Sequence, residues 1–171
     1  MNAVVSVRHA YDREAFLKVA RSRFEAAFGE NGPDSDSFLD QLWGDALADD
    51  LAGVSEQDAI SLAEEFWRYG ADRAADKILI RVRTAHGADG RSLDRDILEV
   101  IGQDRPFLVD SVMGEIASQG LDVMAMFHPV VQVRRGEDGE RVQSGGRCLN
   151  ESMIQVHLDL LSDDVRERLE A

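Results

Sequence analysis

The period of the hydrophobic pattern changes near Lys77, and that change constrains the fold more than any other feature of the chain. Before it, apolar residues recur at helical spacing. Tyr11–Phe28 places Phe16, Leu17, Ala20, Phe24, Ala27 and Phe28 on one face. Gly29 and the loop ENGPDSDS end that helix. Ser37–Leu51 then repeats the apolar pairs Phe38/Leu39, Leu42/Trp43 and Ala46/Leu47, a stripe with a period of about 3.6 residues. Past Gly53, Ser55 opens Ser-Glu-Gln-Asp, a variant of the capping box. The helix it starts turns Ala59, Leu62, Ala63, Phe66 and Trp67 inward. Trp43 and Trp67 both lie on these stripes and read as core.

After Lys77 the period drops to two. KILIRVRT sets Ile78, Ile80 and Val82 against Lys77, Arg81 and Arg83, the pattern of a half-buried strand. RDILEVIGQ is a second strand. RPFLVDSVMGEIASQ returns to helical spacing, with Phe107, Leu108, Val112 and Ile116 as the expected buried stripe, and Gly120 fits a helix C-cap. LDVMAMFHPVVQVRR is a long strand. Pro129 cannot donate to a ladder, which predicts an edge strand or a bulge there. GEDGE is a turn that uses Gly139 at positive φ. QSGGRCLNE reads as a loop. ESMIQVHLDL is a further strand carrying Met153, Ile154, Val156, Leu158 and Leu160. Ser162 is the expected N-cap of a last helix, with Asp163 and Asp164 at its positive end.

The predicted class is therefore α+β: an antiparallel sheet with helices on one face, preceded by a helical segment. Residues 1–75 form the helical segment and residues 76–171 the sheet-bearing domain, which reads as cut short at its C-terminal end.

A chain of 171 residues buries roughly two thirds of its unfolded surface, enough for a core without disulfides. Cys148 is the single cysteine, so neither an internal disulfide nor a cysteine metal cluster is expected. No apolar run approaches the roughly 20 residues needed to span a bilayer, and the start lacks a signal-peptide core. These features place the expected location in the cytoplasm, with no membrane partner. The formal net charge is −14, which argues against nucleic acid. The charge is uneven: 12 acidic residues and no Lys or Arg lie between Arg23 and Arg68. A solvated acidic face accounts for that run, and a docking face for a basic partner is its alternative.

Familiar catalytic motifs are missing. There is no G-x-G-x-x-G after a strand, no G-x-x-x-x-G-K-[ST] and no G-x-S-x-G. Gly145–Gly146 is a lone doublet in a loop. The histidines are His9, His86, His128 and His157, none at ligand spacing with another. His128 and His157 both fall in predicted strands, which leaves a metal-dependent or acid–base pair as an alternative. Asp104 and Asp110 flank the best helix and read as cap or dipole partners. The chain thus nominates no catalytic residue, no metal site and no cofactor of its own.

Residues 95–123 resemble the strand–loop–helix–strand unit of ACT domains, ligand-sensing modules whose first turn reads D-R-P-G-L. The corresponding residues are Asp104, Arg105, Pro106, Phe107 and Leu108, with Gly120 after the helix. Pro106 suits a first helical turn, and Arg105 before it is pushed to an extended conformation. The longer run is similar to the N-terminal region of the large NAD-specific glutamate dehydrogenases of bacteria. It comprises Asp104, Pro106–Val112, Gln119–Leu121, His128–Val130 and Val133–Arg135, together with Trp67–Arg73 and Glu151–Val156.

The resemblance covers roughly residues 38–160. It implies a non-catalytic domain that senses an amino acid or holds an oligomer together. The parent enzyme would oxidise glutamate with NAD in a separate catalytic domain. If a ligand binds, the resemblance assigns it to Gln103, Asp104, Arg105 and Phe107. Phe107 stands where the family has glycine and would fill the ligand space or pack inward, which favours assembly over sensing. A stand-alone amino-acid-binding regulator is the alternative. An ACT fold also needs one more strand after its second helix. Either the sheet is incomplete or the strand at Lys77–Thr84 takes an edge in its place.

Overall fold

The computed structural model describes residues 12–32, 35–43, 53–74 and 76–171. Tyr11, His9, Ala46 and Leu47, named above, lie outside them. Three helices come first: α1 (Arg13–Phe28), α2 (Ser35–Trp43) and α3 (Glu56–Tyr69). Asp12 caps α1 by accepting from the Ala15 amide. Ser55 caps α3 by accepting from the Asp58 amide, as its capping box predicts. Phe16, Leu17, Ala20 and Phe24 of α1 are buried, whereas Ala27 is exposed because α1 ends one residue later at a 3-10 turn.

The remaining elements are β1 (Leu79–His86), β2 (Ser92–Gln103), α4 (Leu108–Ser118), β3 (Val123–Phe127), β4 (Val130–Arg135), β5 (Arg147–Leu158) and α5 (Asp163–Glu170). The sheet runs β1-β2-β5-β3, with every pairing antiparallel. β3 and β4 share the far edge of β5, separated by His128 and Pro129, so the proline interrupts an edge strand as expected. The strand that starts near Lys77 occupies the edge beside β2, the second of the two arrangements left open by the sequence.

The helices cover both faces of the sheet. α4 and α5 pack on one face, over Leu98 and Val100 of β2 and Ile154, Val156 and Leu158 of β5. The N-terminal helices pack on the other face, over Ile101, Met153, Ala125, Phe127, Val131 and Val133. On that side Phe16 meets Trp43 with ring centroids 4.7 Å apart, and Phe38 meets Trp67 at 5.2 Å. Both tryptophans are core residues. Because both faces are covered, the inner stretches of β2 and β5 are buried at consecutive residues.

Several local expectations are corrected. Phe107 is not on the buried stripe of α4: it is 76% exposed and precedes the helix as its N-cap. Pro106 therefore lies before the cap and not in the first helical turn. Residues 147–151 are strand, not loop, since Arg147 pairs with Arg135 and Glu151 with Val131. Leu149 and Glu151 alternate inward there, and the carboxylate at the second of these positions hid the alternation. Ser162 precedes α5 in an extended conformation, but its hydroxyl donates to the Asp164 carboxylate instead of capping a backbone amide. Leu160, placed on the last strand, falls beyond β5 and is exposed. The C-cap at Gly120 holds: the residue has φ 70°, and the Gly120 and Leu121 amides return to Ala117 O and Ile116 O.

Candidate functional site

The loop joining β2 to α4 holds Gln103, Asp104, Arg105 and Phe107, all exposed. The Asp104 amide donates to Asn150 O at 2.9 Å, which fastens the loop to β5. Phe107 has φ 66° and ψ 6°, a left-handed conformation that glycine takes freely and phenylalanine does not. This explains the glycine of the D-R-P-G-L pattern: the turn needs positive φ whichever residue is there. The Phe107 carbonyl is held by the Ser111 amide at 2.9 Å and the Ser111 hydroxyl at 2.7 Å.

Left-handed backbone costs a non-glycine residue roughly 1–2 kcal/mol. Phe107 recovers little of that, because most of its ring faces solvent. Phe107→Gly is therefore expected to stabilise the chain by about 0.5–1 kcal/mol, after allowing for the extra freedom of glycine in the unfolded state. A urea midpoint that falls in the variant would contradict this.

Beside the loop is a cleft of about 520 Å³ with a floor of Ile78, Ile80, Leu98 and Val100. Phe107 and Arg105 stand at one rim, and Leu169 and Arg168 of α5 at the other. Phe107 thus does not pack inward, and borders an apolar cleft.

A second cluster, missed in the sequence, lies on the opposite face. Glu151 is 0% exposed and receives two arginines. Arg73 donates to Oε1 at 3.1 and 2.7 Å, and Arg135 to Oε1 at 2.9 Å and Oε2 at 2.7 Å. Arg135 also donates to the carbonyls of Gly70 at 2.8 Å, Ala71 at 2.8 Å and Gly139 at 2.9 Å. Arg73 reaches those of Ala74 and Lys77. Arg141 lies 3.5 Å from the ring centroid of Trp67 and donates to the Trp67 carbonyl.

This cluster ties the connection after α3 to the β4–β5 hairpin. It accounts physically for the Trp67–Arg73 and Glu151 motifs as structural joints. Gly139 completes it: a Cβ on this residue would stand 2.7 Å from the Arg73 carbonyl. Burial alone would raise the Glu151 pKa, but hydrogen bonds and charge from Arg135 and Arg73 outweigh that and lower it. Burial, with neighbouring Arg135, brings Arg141 down to about 9.

The two histidines of the predicted strands are not brought together, and His128 lies between β3 and β4 instead of in a strand. His128 contacts the Ser152 hydroxyl, whereas His157 bonds Gln155 and lies near Arg95. Ser152 and His157 are five positions apart on β5, about 17 Å and on opposite faces. Among the described residues no group of His, Cys, Asp and Glu is arranged to hold a metal. The metal-dependent alternative built on this pair is therefore set aside. Asp104 acts electrostatically on His128, against the burial that lowers its pKa. Ser152, His128 and Asp104 thus have the residue types of a hydrolytic triad, but Ser152 is 1% exposed and no substrate reaches it. Asp110 is exposed in the first turn of α4, consistent with a dipole partner.

The strand order, the helices over the sheet and the strained turn before α4 define an ACT-like α+β module. A family model for the ACT1 domain of glutamate dehydrogenase matches residues 38–171, and the chain belongs to that family. It is a domain of a glutamate dehydrogenase. No curated protein and no solved structure matches the chain. No helix among the described residues is long and apolar enough to cross a membrane.

Proposed function

We propose that the chain is a non-catalytic assembly or regulatory domain of an NAD-dependent glutamate dehydrogenase. The parent enzyme converts L-glutamate to 2-oxoglutarate in the cytoplasm and binds NAD in its catalytic domain. The partners of this domain are the other domains of the same polypeptide and further copies of the chain. Assembly is favoured by the edge strand β3, which exposes Val123 at 37%, Met124 at 44% and Met126 at 40%. An edge with unpaired backbone and apolar side chains is suited to pairing with a second chain.

The domain by itself is expected to produce no NADH from glutamate and NAD; turnover by clean protein would sink the reading. Sedimentation is expected to show self-association that Met124→Lys with Met126→Lys abolishes. A wild-type chain that stays monomeric at high concentration removes the assembly role.

Amino-acid sensing by the domain is the second reading, favoured by the frame of the Gln103–Phe107 loop; the stand-alone form of that alternative gives way to the family. It requires an amino acid to raise the melting temperature, since saturation at about 100 times Kd adds about 2.7 kcal/mol.

A further inference from the structure

We propose that the outer edge of β4 takes an extended, acidic segment from another domain of the same polypeptide. The inference rests on the reading that those domains are partners of this one, and it uses a different strand from the exposed methionines of β3. The hydrogen bonds decide which way β4 points. The Asp104 amide donates to Asn150 O, so Asn150 bonds toward β2, and its partner Gln132 turns its amide and carbonyl away from β5. Val130 and Arg134, two residues to either side, share that direction. The edge is closed at both ends. Gln41 Oε1 accepts from the Val130 amide at 2.9 Å, and the Val142 amide donates to Arg134 O at 3.0 Å. Between these caps, Val130 O, Gln132 N and O, and Arg134 N have no partner among the described residues. They form a window of about 13 Å at the rise of a strand.

The window opens into a cleft of about 440 Å³ whose opposite wall is the turn Gly29–Gly32. Pairing β4 with β4 of a second copy would set one such turn against the other, so the slot takes a single segment and not another sheet. Charge selects the segment. Arg134 is exposed on one face of the strand, and Arg141 lies over Trp67 on the other. Glu30 is the one carboxylate lining the cleft against these two guanidiniums. A strand laid beside Gln132 thus meets a cation on either face, which favours acidic side chains over Lys and Arg. Main-chain pairing supplies the affinity, as in other strand additions.

The test titrates the 171-residue chain with acetyl-Val-Glu-Val-amide, its lysine counterpart, and a form methylated at its backbone nitrogens, while amide NMR shifts are followed. Saturable binding of the glutamate peptide is expected, with the largest shifts and slowed hydrogen exchange at Gln132 and Arg134. The lysine peptide is expected to bind about tenfold more weakly and the methylated one not at all. Gln132→Pro removes an amide that points away from the β5 ladder, so the fold is expected to persist and binding to be lost. Arg134→Glu, a change at an exposed side chain, is expected to reverse the preference between the glutamate and lysine peptides. Four results overturn the proposal: no saturable binding; equal binding of the methylated peptide; equal binding of the lysine peptide; or shifts centred on Val123–Phe127, which would move the site to β3. A Gln132→Pro chain that no longer self-associates would make the β4 edge a contact between copies and also overturn it. A wild-type chain that stays monomeric in sedimentation removes assembly through β3 and leaves this proposal standing.

Discussion

Replacing Glu151 with alanine is expected to destabilise the domain by about 3–5 kcal/mol, the usual cost of removing one partner from a buried ion cluster. Arg73 and Arg135 are 2% and 1% exposed, so the variant takes from two buried guanidiniums the carboxylate they share. Their carbonyl partners at Gly70, Ala71, Gly139, Ala74 and Lys77 hold them in place and prevent escape to water. A domain is stable by only about 5–15 kcal/mol, so the loss is a large fraction of the total. Glu151→Gln separates shape from charge: it keeps the volume and two polar atoms, and is expected to cost most of the same amount.

Urea denaturation at neutral pH measures both variants. A loss below about 1 kcal/mol in Glu151→Ala would mean that the arginines relax to solvent, and that the cluster is not the joint described here. The pH sign can be checked independently. Glu151 has a folded pKa below its unfolded value, so its contribution is present above about pH 4.3 and is lost as the pH falls through the lower folded value.

The second large effect is an acid-side loss of stability from His157. The ring is 2% exposed, its nitrogens face Gln155 and Arg95, and Phe127 packs edge-on with centroids 5.4 Å apart. Burial first, then the charges of Arg95 and Arg83, bring its pKa down to about 3. In the unfolded chain it titrates near 6.5. As the pH falls below about 6.5 the unfolded state takes up a proton that the folded state refuses, so stability drops. The slope approaches about 1.4 kcal/mol per pH unit until the folded value is reached. By pH 5 the loss is about 2 kcal/mol. His157→Gln is expected to flatten this limb between pH 6.5 and 5, a range above that of most carboxylates. Equal slopes in the wild type and the variant would show that His157 accepts a proton in the folded state. His128, also depressed by burial, adds a weaker effect of the same sign.

Local rules were readable wherever side chain and backbone act within a few residues. Ser55 caps α3 through the amide three residues on, Gly120 closes α4 in a left-handed conformation, and Pro129 interrupts an edge strand. Each depends on sequence neighbours alone. The α+β class followed from the change in period near Lys77, because burial on one face of a helix or strand imposes that period. The resemblance of Asp104–Leu108 and its flanking segments supplied the family.

The tertiary structure decided what depends on partners far apart in the chain. Glu151 and Arg73 are 78 residues apart, so no spacing rule connects them, and the carboxylate at an inward position disguised the start of β5 as loop. Phe107 looked like part of an apolar stripe, yet the tight turn between β2 and α4 demands positive φ and turns its ring to solvent. The covering of both sheet faces was equally hidden, since a helix stripe shows that a face is buried but not which surface it meets. The sequence by itself determined the elements, their caps and the family, all set by local periodicity and short-range bonding. Only the fold decided that Arg73 and Arg135 share one buried carboxylate, because charge pairing depends on distances that chain folding creates.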